Sequence, residues 1–142
     1  MALTRDNTNY ERRLPGNRNF PVAAAQLIFF GSVVSVAVAD GLLRKGRSGG
    51  GAQTDKVVGV ATQRADNSAG ANSAISCEVE SDMVVPMQNS GGADTITLAN
   101  VGDPIYLVDD NTVALTDGGG TRPRAGLCHN VTERGVWLRF EK

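Results

Sequence analysis

The sequence predicts an all-β fold, a small antiparallel β-sandwich or barrel, and three observations favour this class. Residues 101–140 form short apolar runs that each stop at a Gly, Asp or Asn turn signal. Seventeen glycines and only 5% aromatic residues indicate many tight turns around a core of Val, Ile, Leu and Ala. The 142 residues contain no heptad, internal repeat or long amphipathic helix. A chain of this length fits one domain that folds without disulfides or metal.

The chain begins with residues 1–21, which show neither helical nor strand periodicity and are rich in Asn and Arg. We interpret them as an extended N-terminal arm that precedes a single β domain at 22–142. Residues 1–56 carry eight Lys/Arg against four Asp/Glu, whereas 57–142 carry six against eleven. The acidic body argues against binding to nucleic acid. The basic arm suits an acidic protein surface, or is simply a solvated terminus.

Residues 22–39 form an uncharged run of eighteen that imitates a signal peptide or a short membrane span. Gly31 interrupts the run, and its Phe and Val residues favour extended backbone. We therefore expect two buried strands broken near Gly31 and followed by a turn at Asp40-Gly41, and no membrane association. Secretion is the alternative interpretation.

The rest of the chain reads as strands separated by turns. Residues 45–53 are expected to be a flexible loop, 56–62 a buried strand and 74–80 a half-buried strand. Pro86 places the segment 83–87 at a sheet edge or on the way out of the sheet, because proline has no amide hydrogen to donate. Further strands are expected at 95–98, 105–108, 113–116, 124–130 and 136–140.

The candidates for catalysis or metal binding are few. His129 is the only histidine, and in a strand its neighbour Cys128 faces the opposite way, so the two are not a natural catalytic or metal pair. Asp109-Asp110 could be paired carboxylates, but the following Asn makes hairpin-turn chemistry the better interpretation. The glycines after Asp117 lack the Lys-Ser/Thr of a phosphate loop. The sequence predicts no catalytic residue, metal or cofactor.

Two further residue types bear on packing and partners. Cys77 and Cys128 are expected to be free, buried thiols. Trp137 either points outward, with Val136 and Leu138 in the core, or packs inward. The outward assignment would favour Trp137 as a partner contact, because tryptophan is enriched at interface centres.

The order of four segments resembles the small cement, or decoration, proteins of tailed-bacteriophage capsids. The segments are FPVAAAQLIFFGSVVSVAVADGLL, KVVGVAT, VGDPIYLVDDNTVAL and RAGLCHNVTERGVWLRF, which together span residues 20–140. The resemblance implies a jelly-roll-like fold or another compact barrel. It also implies a non-enzymatic virion protein, made in the host bacterial cytoplasm, that binds the outer surface of an icosahedral shell. Its partners would be the major capsid protein and further copies of itself, with a trimer preferred and a dimer as the alternative.

The arm is the expected capsid-binding element. Its apolar side chains would enter shallow capsid grooves, and its guanidinium groups would meet acidic capsid residues. With Trp137 added, the expected contact residues are Leu3, Arg5, Tyr10, Arg12, Arg13, Leu14, Arg18, Phe20 and Trp137.

Two other function classes remain open. The first is a carbohydrate- or receptor-binding β module of a head fibre or tail, although seven aromatic residues give little material for a sugar-stacking groove. The second is a secreted enzyme that uses Asp109 or Asp110, which requires cleavage after Ala39.

Overall fold

A computed structural model describes residues 16–50 and 54–141. Over these residues it contains twelve strands, and the all-β class is confirmed. The strands are β1 Arg18–Pro21, β2 Gln26–Ile28, β3 Val33–Ala37, β4 Leu43–Lys45, β5 Asp55–Ala61, β6 Ala65–Asn67, β7 Ser76–Glu80, β8 Val84–Asn89, β9 Pro104–Leu107, β10 Thr112–Ala114, β11 Arg124–Thr132 and β12 Gly135–Arg139.

The N-terminal half forms a five-stranded sheet in the order β1-β7-β5-β3-β4. All of its pairings are antiparallel. β2 and β6 form a separate two-stranded sheet. Gly59 allows β5 to approach β7 closely, because a Cβ there would lie 2.4 Å from the Glu80 carbonyl oxygen.

The C-terminal half closes into a barrel of β10-β8-β12-β11-β9. Four of its contacts are antiparallel, and the barrel is closed by a parallel pairing of β8 with β10. Closure leaves the barrel without an unpaired edge strand. The five-stranded sheet remains open; the outer side of β4 is bridged to Val22 at Leu43, so β1 is the terminal strand where a partner strand could add.

Two buried clusters hold the layers together, and β3 and β5 contribute to both. Val33 and Val60 pack with the barrel interior, which includes Ile105, Leu107 and Leu138. The next residue on each strand, Val34 and Ala61, turns to the other cluster. Because successive strand residues face opposite sides, these two strands form a shared wall between the clusters. That second cluster consists of Val22, Ile28, Val34, Leu43, Ala61, Ala65, Cys77 and Val79.

The uncharged run at 22–39 forms two strands on either side of Gly31, as the sequence predicts, but only β3 is buried along its length, whereas β2 is mostly half-buried. β2 and β3 are separated by a turn in which Gly31 has φ +87°, and Val33 and Val34 are fully buried. Among the residues the structure describes, no helix is long and apolar enough to cross a membrane.

The sheet extends into the segment predicted as an arm. Arg18–Pro21 pairs with β7 over four register positions, and Phe20 packs against the second buried cluster. The strand was missed because a four-residue run that begins with Arg-Asn has too little apolar alternation to be recognised. The loop predicted at 45–53 is tied down at several points over its described part: Gly46 N–H donates to Val33 O at 2.8 Å, and Gly49 N–H to Thr121 O at 2.6 Å.

Two predicted features of the barrel half are wrong. Residues 95–98 are not a strand, since 95–97 link two short 3-10 turns, Gly92–Asp94 and Leu98–Asn100, and Leu98 begins the second. The Thr97 and Asn100 side chains cap the second turn, which satisfies backbone groups that a strand would pair. β8 is not an edge strand either. Pro86 is tolerated there because β10 pairs with β8 only at Gln88 and Asn89.

Candidate interaction surface

Six of the nine residues predicted to contact a partner lie outside the described part of the chain. They are Leu3, Arg5, Tyr10, Arg12, Arg13 and Leu14. The other three fall on two layers, with Arg18 and Phe20 on β1 of the open sheet and Trp137 on β12 of the barrel.

Arg18 and Phe20 are brought together on β1. The Arg18 guanidinium carbon lies 5.1 Å from the centre of the Phe20 ring, and one of its N–H groups donates to Val58 O at 2.9 Å. Phe20 is half-buried against the second cluster. Both side chains therefore hold β1 on the sheet, and Phe20 has limited surface left for another protein.

β1 is a terminal strand of the open sheet. Val22 N–H donates to Ile75 O at 3.0 Å, which fixes the alternation of hydrogen-bonded pairs along β1 and β7. By that alternation, Phe20 and Arg18 turn their backbone groups toward β7, whereas Asn19 turns its own toward the open edge. Pro21 contributes no donor to this edge, so the strand offers a short, partly blunted site for strand addition.

Trp137 takes the outward of its two predicted orientations. Val136 and Leu138 are fully buried, while Trp137 between them is half-buried. Its indole N–H donates to the Thr132 hydroxyl at 2.8 Å. The ring is fixed on the outer wall of the barrel, where its exposed part is available to a partner.

Within residues 16–50 and 54–141, the most exposed aromatic side chains were missed by sequence reasoning. Phe29 and Phe30, in the turn after β2, are 50% and 74% exposed. The Phe-Phe-Gly sequence is the signal that could have identified them. Because Gly31 forms a turn, the two residues before it, Phe29 and Phe30, cannot both enter the core.

The Phe29-Phe30 turn is well anchored. Gly31 N–H donates to Ala61 O at 2.9 Å, and Ser32 N–H returns to Phe29 O at 3.1 Å. The guanidinium of Arg64 lies 5.3 Å from the Phe29 ring centre, a cation–π arrangement. The two rings are thus presented on a fixed backbone, which reduces the ordering cost of inserting them into a partner.

A second exposed apolar pair lies on the 3-10 turn before β9. Leu98 and Val101 are 64% and 49% exposed. The Phe-Phe turn is linked to the opposite end of β9, since the Ser32 hydroxyl donates to Asp110 Oδ2 at 2.9 Å. The molecule therefore presents apolar side chains near both ends of the same barrel strand.

The candidate chemical residues have structural roles. Asp109 Oδ1 accepts the Asn111 N–H at 2.8 Å, the hairpin-turn role that the sequence predicts, and Asp110 joins the barrel to the sheet through Ser32. His129 is exposed while Cys128 beside it is buried. In the described ranges 16–50 and 54–141, no group of three or more His, Cys, Asp or Glu side chains is arranged to hold a metal ion.

Both thiols are free, as expected, and each lies in a different buried cluster. Burial raises the pKa of Cys77, and the nearby Glu78 carboxylate adds to the effect. Burial likewise raises the pKa of Cys128, with Asp103 contributing. Both groups are therefore held as unreactive thiols at neutral pH.

Comparison with known proteins finds no family model, no curated protein and no solved structure that matches this chain.

Proposed function

We propose that the protein is a structural virion component that binds the outer surface of an icosahedral phage head and clamps neighbouring capsid subunits against the pressure of packaged DNA. The observation that carries the proposal is the anchored Phe29-Phe30 turn, which exposes two aromatic rings on a fixed backbone. Aromatic anchors of this kind contribute much of the binding energy at protein interfaces.

The clamp acts through several weak contacts made together. The Phe29-Phe30 turn and the outer face of Trp137 lie on different parts of the folded domain, and the basic segment before β1 is the third proposed contact. If they touch different capsid subunits, each later contact forms at a high effective concentration, so that modest individual affinities combine. Self-association, as a trimer or alternatively a dimer, would multiply these contacts at a symmetry position of the shell.

The binding test is co-sedimentation of the purified protein with assembled phage heads. The expected result is saturable binding on the outer surface and raised resistance of the heads to heat. Replacing Phe29 and Phe30 together by Ser is expected to reduce affinity by at least about tenfold, equivalent to about 1.4 kcal/mol. The matched control is Val38→Ser, which changes an exposed apolar side chain, 53% exposed, in a different turn. Equal binding by both variants would remove the Phe-Phe turn from the mechanism, and an absence of binding by the unmodified protein would overturn the proposal.

The arm requires its own variant, and the structure sets its boundary. Deleting residues 2–15 removes the basic segment but leaves β1 and its pairing with β7 intact. A deletion that continued to residue 19 would remove half of β1. The shorter deletion is expected to leave a folded protein that binds heads weakly, and undiminished binding would exclude the arm.

The Phe29-Phe30 pair also supports a second candidate, a carbohydrate- or receptor-binding module of a head fibre or tail, because exposed rings can stack on sugars. A glycan array separates the two functions. Binding to a defined glycan that is lost in the Phe29→Ser/Phe30→Ser variant, without affinity for heads, would favour the module.

A further inference from the structure

The chain contains two Asp-Gly dipeptides, Asp40-Gly41 and Asp117-Gly118, and both aspartates are exposed. Aspartate isomerises most readily before glycine, because glycine has no side chain to hinder attack of its nitrogen on the preceding carboxyl group. The two sites also share a local turn. In each, the carboxylate accepts the N–H of the residue after the glycine, from Leu42 at 2.9 Å and from Gly119 at 3.1 Å. Differences in their reactivity therefore come from their surroundings.

The surroundings of Asp40 oppose isomerisation. The Arg44 guanidinium donates to both carboxylate oxygens, at 2.9 and 2.7 Å. Together with the Leu42 N–H, this contact lowers the pKa of Asp40 to about 2. The neutral carboxyl group, which is the form that can lose water, is therefore scarce near neutral pH. The attacking nitrogen is engaged as well, since Gly41 N–H donates to Ala37 O at 2.8 Å.

The surroundings of Asp117 lack both restraints. In the part of the chain that the structure describes, no Lys or Arg pairs with its carboxylate, and the Gly118 N–H has no acceptor. The nearby Arg122 guanidinium binds Asp94 instead, at 3.1 Å. The three consecutive glycines that follow Asp117 all have positive φ, and none of them has a side chain that would restrain the peptide.

We propose that Asp117 is a site of spontaneous isoaspartate formation in the folded protein, whereas Asp40 is protected. The Gly118 nitrogen attacks the side-chain carboxyl carbon of Asp117, and a C–N bond closes a succinimide ring as the carboxyl hydroxyl and the amide proton leave as one water. A second water then opens the ring. Opening at the side-chain carbonyl restores aspartate, whereas opening at the main-chain carbonyl gives isoaspartate. The cycle needs no oxidant, cofactor or partner protein.

Isomerisation at this position would alter a link between the barrel and the sheet half. The Asp117 main-chain carbonyl accepts the N–H groups of Thr121 and Arg122, each at 3.0 Å. In isoaspartate this carbonyl becomes a free carboxylate, and the backbone gains a methylene group, so the turn cannot keep its geometry. Thr121 O in turn accepts the Gly49 N–H at 2.6 Å. The modification is therefore expected to loosen the hold of this turn on Gly49, whatever the protein binds.

Ageing of the full-length protein at mildly acidic pH tests the proposal. Isoaspartate is located by peptide mapping with Asp-N protease, which cleaves before aspartate but not before isoaspartate. In the folded protein we expect it to form at position 117 at least about tenfold faster than at 40, because the lowered pKa of Asp40 alone reduces its neutral fraction by more than that factor. In guanidinium chloride, where both surroundings are lost, the two sites are expected to react at similar rates.

Two results would overturn the proposal. One is equal rates at the two positions in the folded protein. The other is an absence of isoaspartate at position 117 over a period in which the unfolded chain forms it at both positions. Head binding plays no part in these measurements, so their outcome is independent of the capsid proposal.

Arg44→Gln is the matched variant, because it removes the cation beside Asp40 and leaves the loop after Asp117 unchanged. It is expected to raise the rate at position 40 by about tenfold, with the rate at 117 unaffected. An unchanged rate at position 40 would contradict the protective role of Arg44.

Hydrogen exchange of the isoaspartate-containing fraction measures the structural consequence. The amides of Gly49, Thr121 and Arg122 are expected to exchange faster than in the unmodified protein, because their acceptors belong to the altered turn. Unchanged protection of these three amides would overturn the predicted loosening.

Discussion

At the residue scale, Asn67 is a buried polar side chain that joins separate segments; it is 2% exposed at the end of β6. Its amide nitrogen donates to Val22 O at 3.3 Å and to Ala23 O and Ala71 O at 2.9 Å each. One side chain thereby satisfies carbonyl groups from two separate segments. Gly70 leaves room for it, because a Cβ there would lie 1.9 Å from Asn67 Oδ1.

Asn67→Ala is expected to destabilise the protein by about 2–4 kcal/mol, because the Ala23 and Ala71 carbonyl groups lose this donor and a buried hydrogen-bonded side chain is removed. Urea unfolding measures the effect. Asn19→Ala, on the exposed side of β1, is the control and is expected to change stability by less than about 0.5 kcal/mol. Similar values for the two variants would show that Asn67 does not hold the β6 region in place.

The Asp40 carboxyl makes the stability of the folded protein depend on pH. The Arg44 guanidinium, which hydrogen-bonds to the carboxylate, and the Leu42 N–H lower the pKa of Asp40 from 3.8 to about 2. The unfolded chain therefore binds this proton at a higher pH than the folded chain does. The stabilisation is fully present above pH 3.8 and is lost as the pH falls toward 2.

We expect the thermal midpoint of the unmodified protein to fall more steeply than that of Asp40→Asn as the pH decreases from about 4 to about 2. Arg44→Gln should reduce the steepness in the same way, since it removes the cation that lowers the Asp40 pKa. Parallel pH profiles for the three proteins would refute this assignment. The three proteins are expected to differ only in how steeply the thermal midpoint falls with pH, because the Asp40 carboxyl lies at the surface.

At the element scale, close approaches of the backbone decide which positions accept a side chain. Gly59 on β5 has φ +148°, and a Cβ there would meet the Glu80 carbonyl oxygen at 2.4 Å. The register of β3 with β5 also shifts next to it, between Val34 and Ser35. These features mark a bulge in β5 beside Gly59.

Gly59→Ala is expected to cost about 1–3 kcal/mol, because the left-handed φ is strained for alanine and the new methyl group meets β7 backbone. Gly91→Ala is the matched control, since a Cβ there has no atom within 4 Å and its φ is negative. Chemical denaturation of both variants measures the contrast. A neutral Gly59→Ala would mean that β5 and β7 separate easily at this point.

At the scale of the whole molecule, the two buried clusters share β3 and β5 and cannot be separated without breaking both. The sheet and the barrel are also joined where Val33 N–H donates to Asp110 O at 2.9 Å. We therefore expect one cooperative unfolding transition rather than two.

Two native probes report on the two halves. Trp137 fluorescence follows the barrel, and the reactivity of the buried Cys77 thiol follows the second cluster. Their urea midpoints are expected to coincide. Val34→Ala, which alters only the second cluster, should lower both midpoints together by an amount equivalent to about 1.5–3 kcal/mol. A shift confined to the Cys77 probe would show that the halves unfold independently.

The sequence by itself determined the all-β class and most of the strand positions, including the two strands around Gly31 and the Asp109 turn. These features depend on local alternation and turn chemistry, which are readable over a few residues. The outward face of Trp137 was one of two readings that alternation left open. Only the tertiary structure decided between them, because that choice depends on which side of β12 the barrel encloses.

Contacts between distant segments could likewise not be predicted from the sequence. The pairing of Arg18–Pro21 with β7, the closure of the barrel by β8 and β10, and the tolerance of Pro86 each depend on where another strand ends. The exposure of Phe29 and Phe30 could not be predicted either, because hydrophobic composition alone assigns such residues to the core. Local chemistry fixes what each segment forms, whereas burial, edges and exposed anchors are set by long-range packing that one-dimensional patterns do not contain.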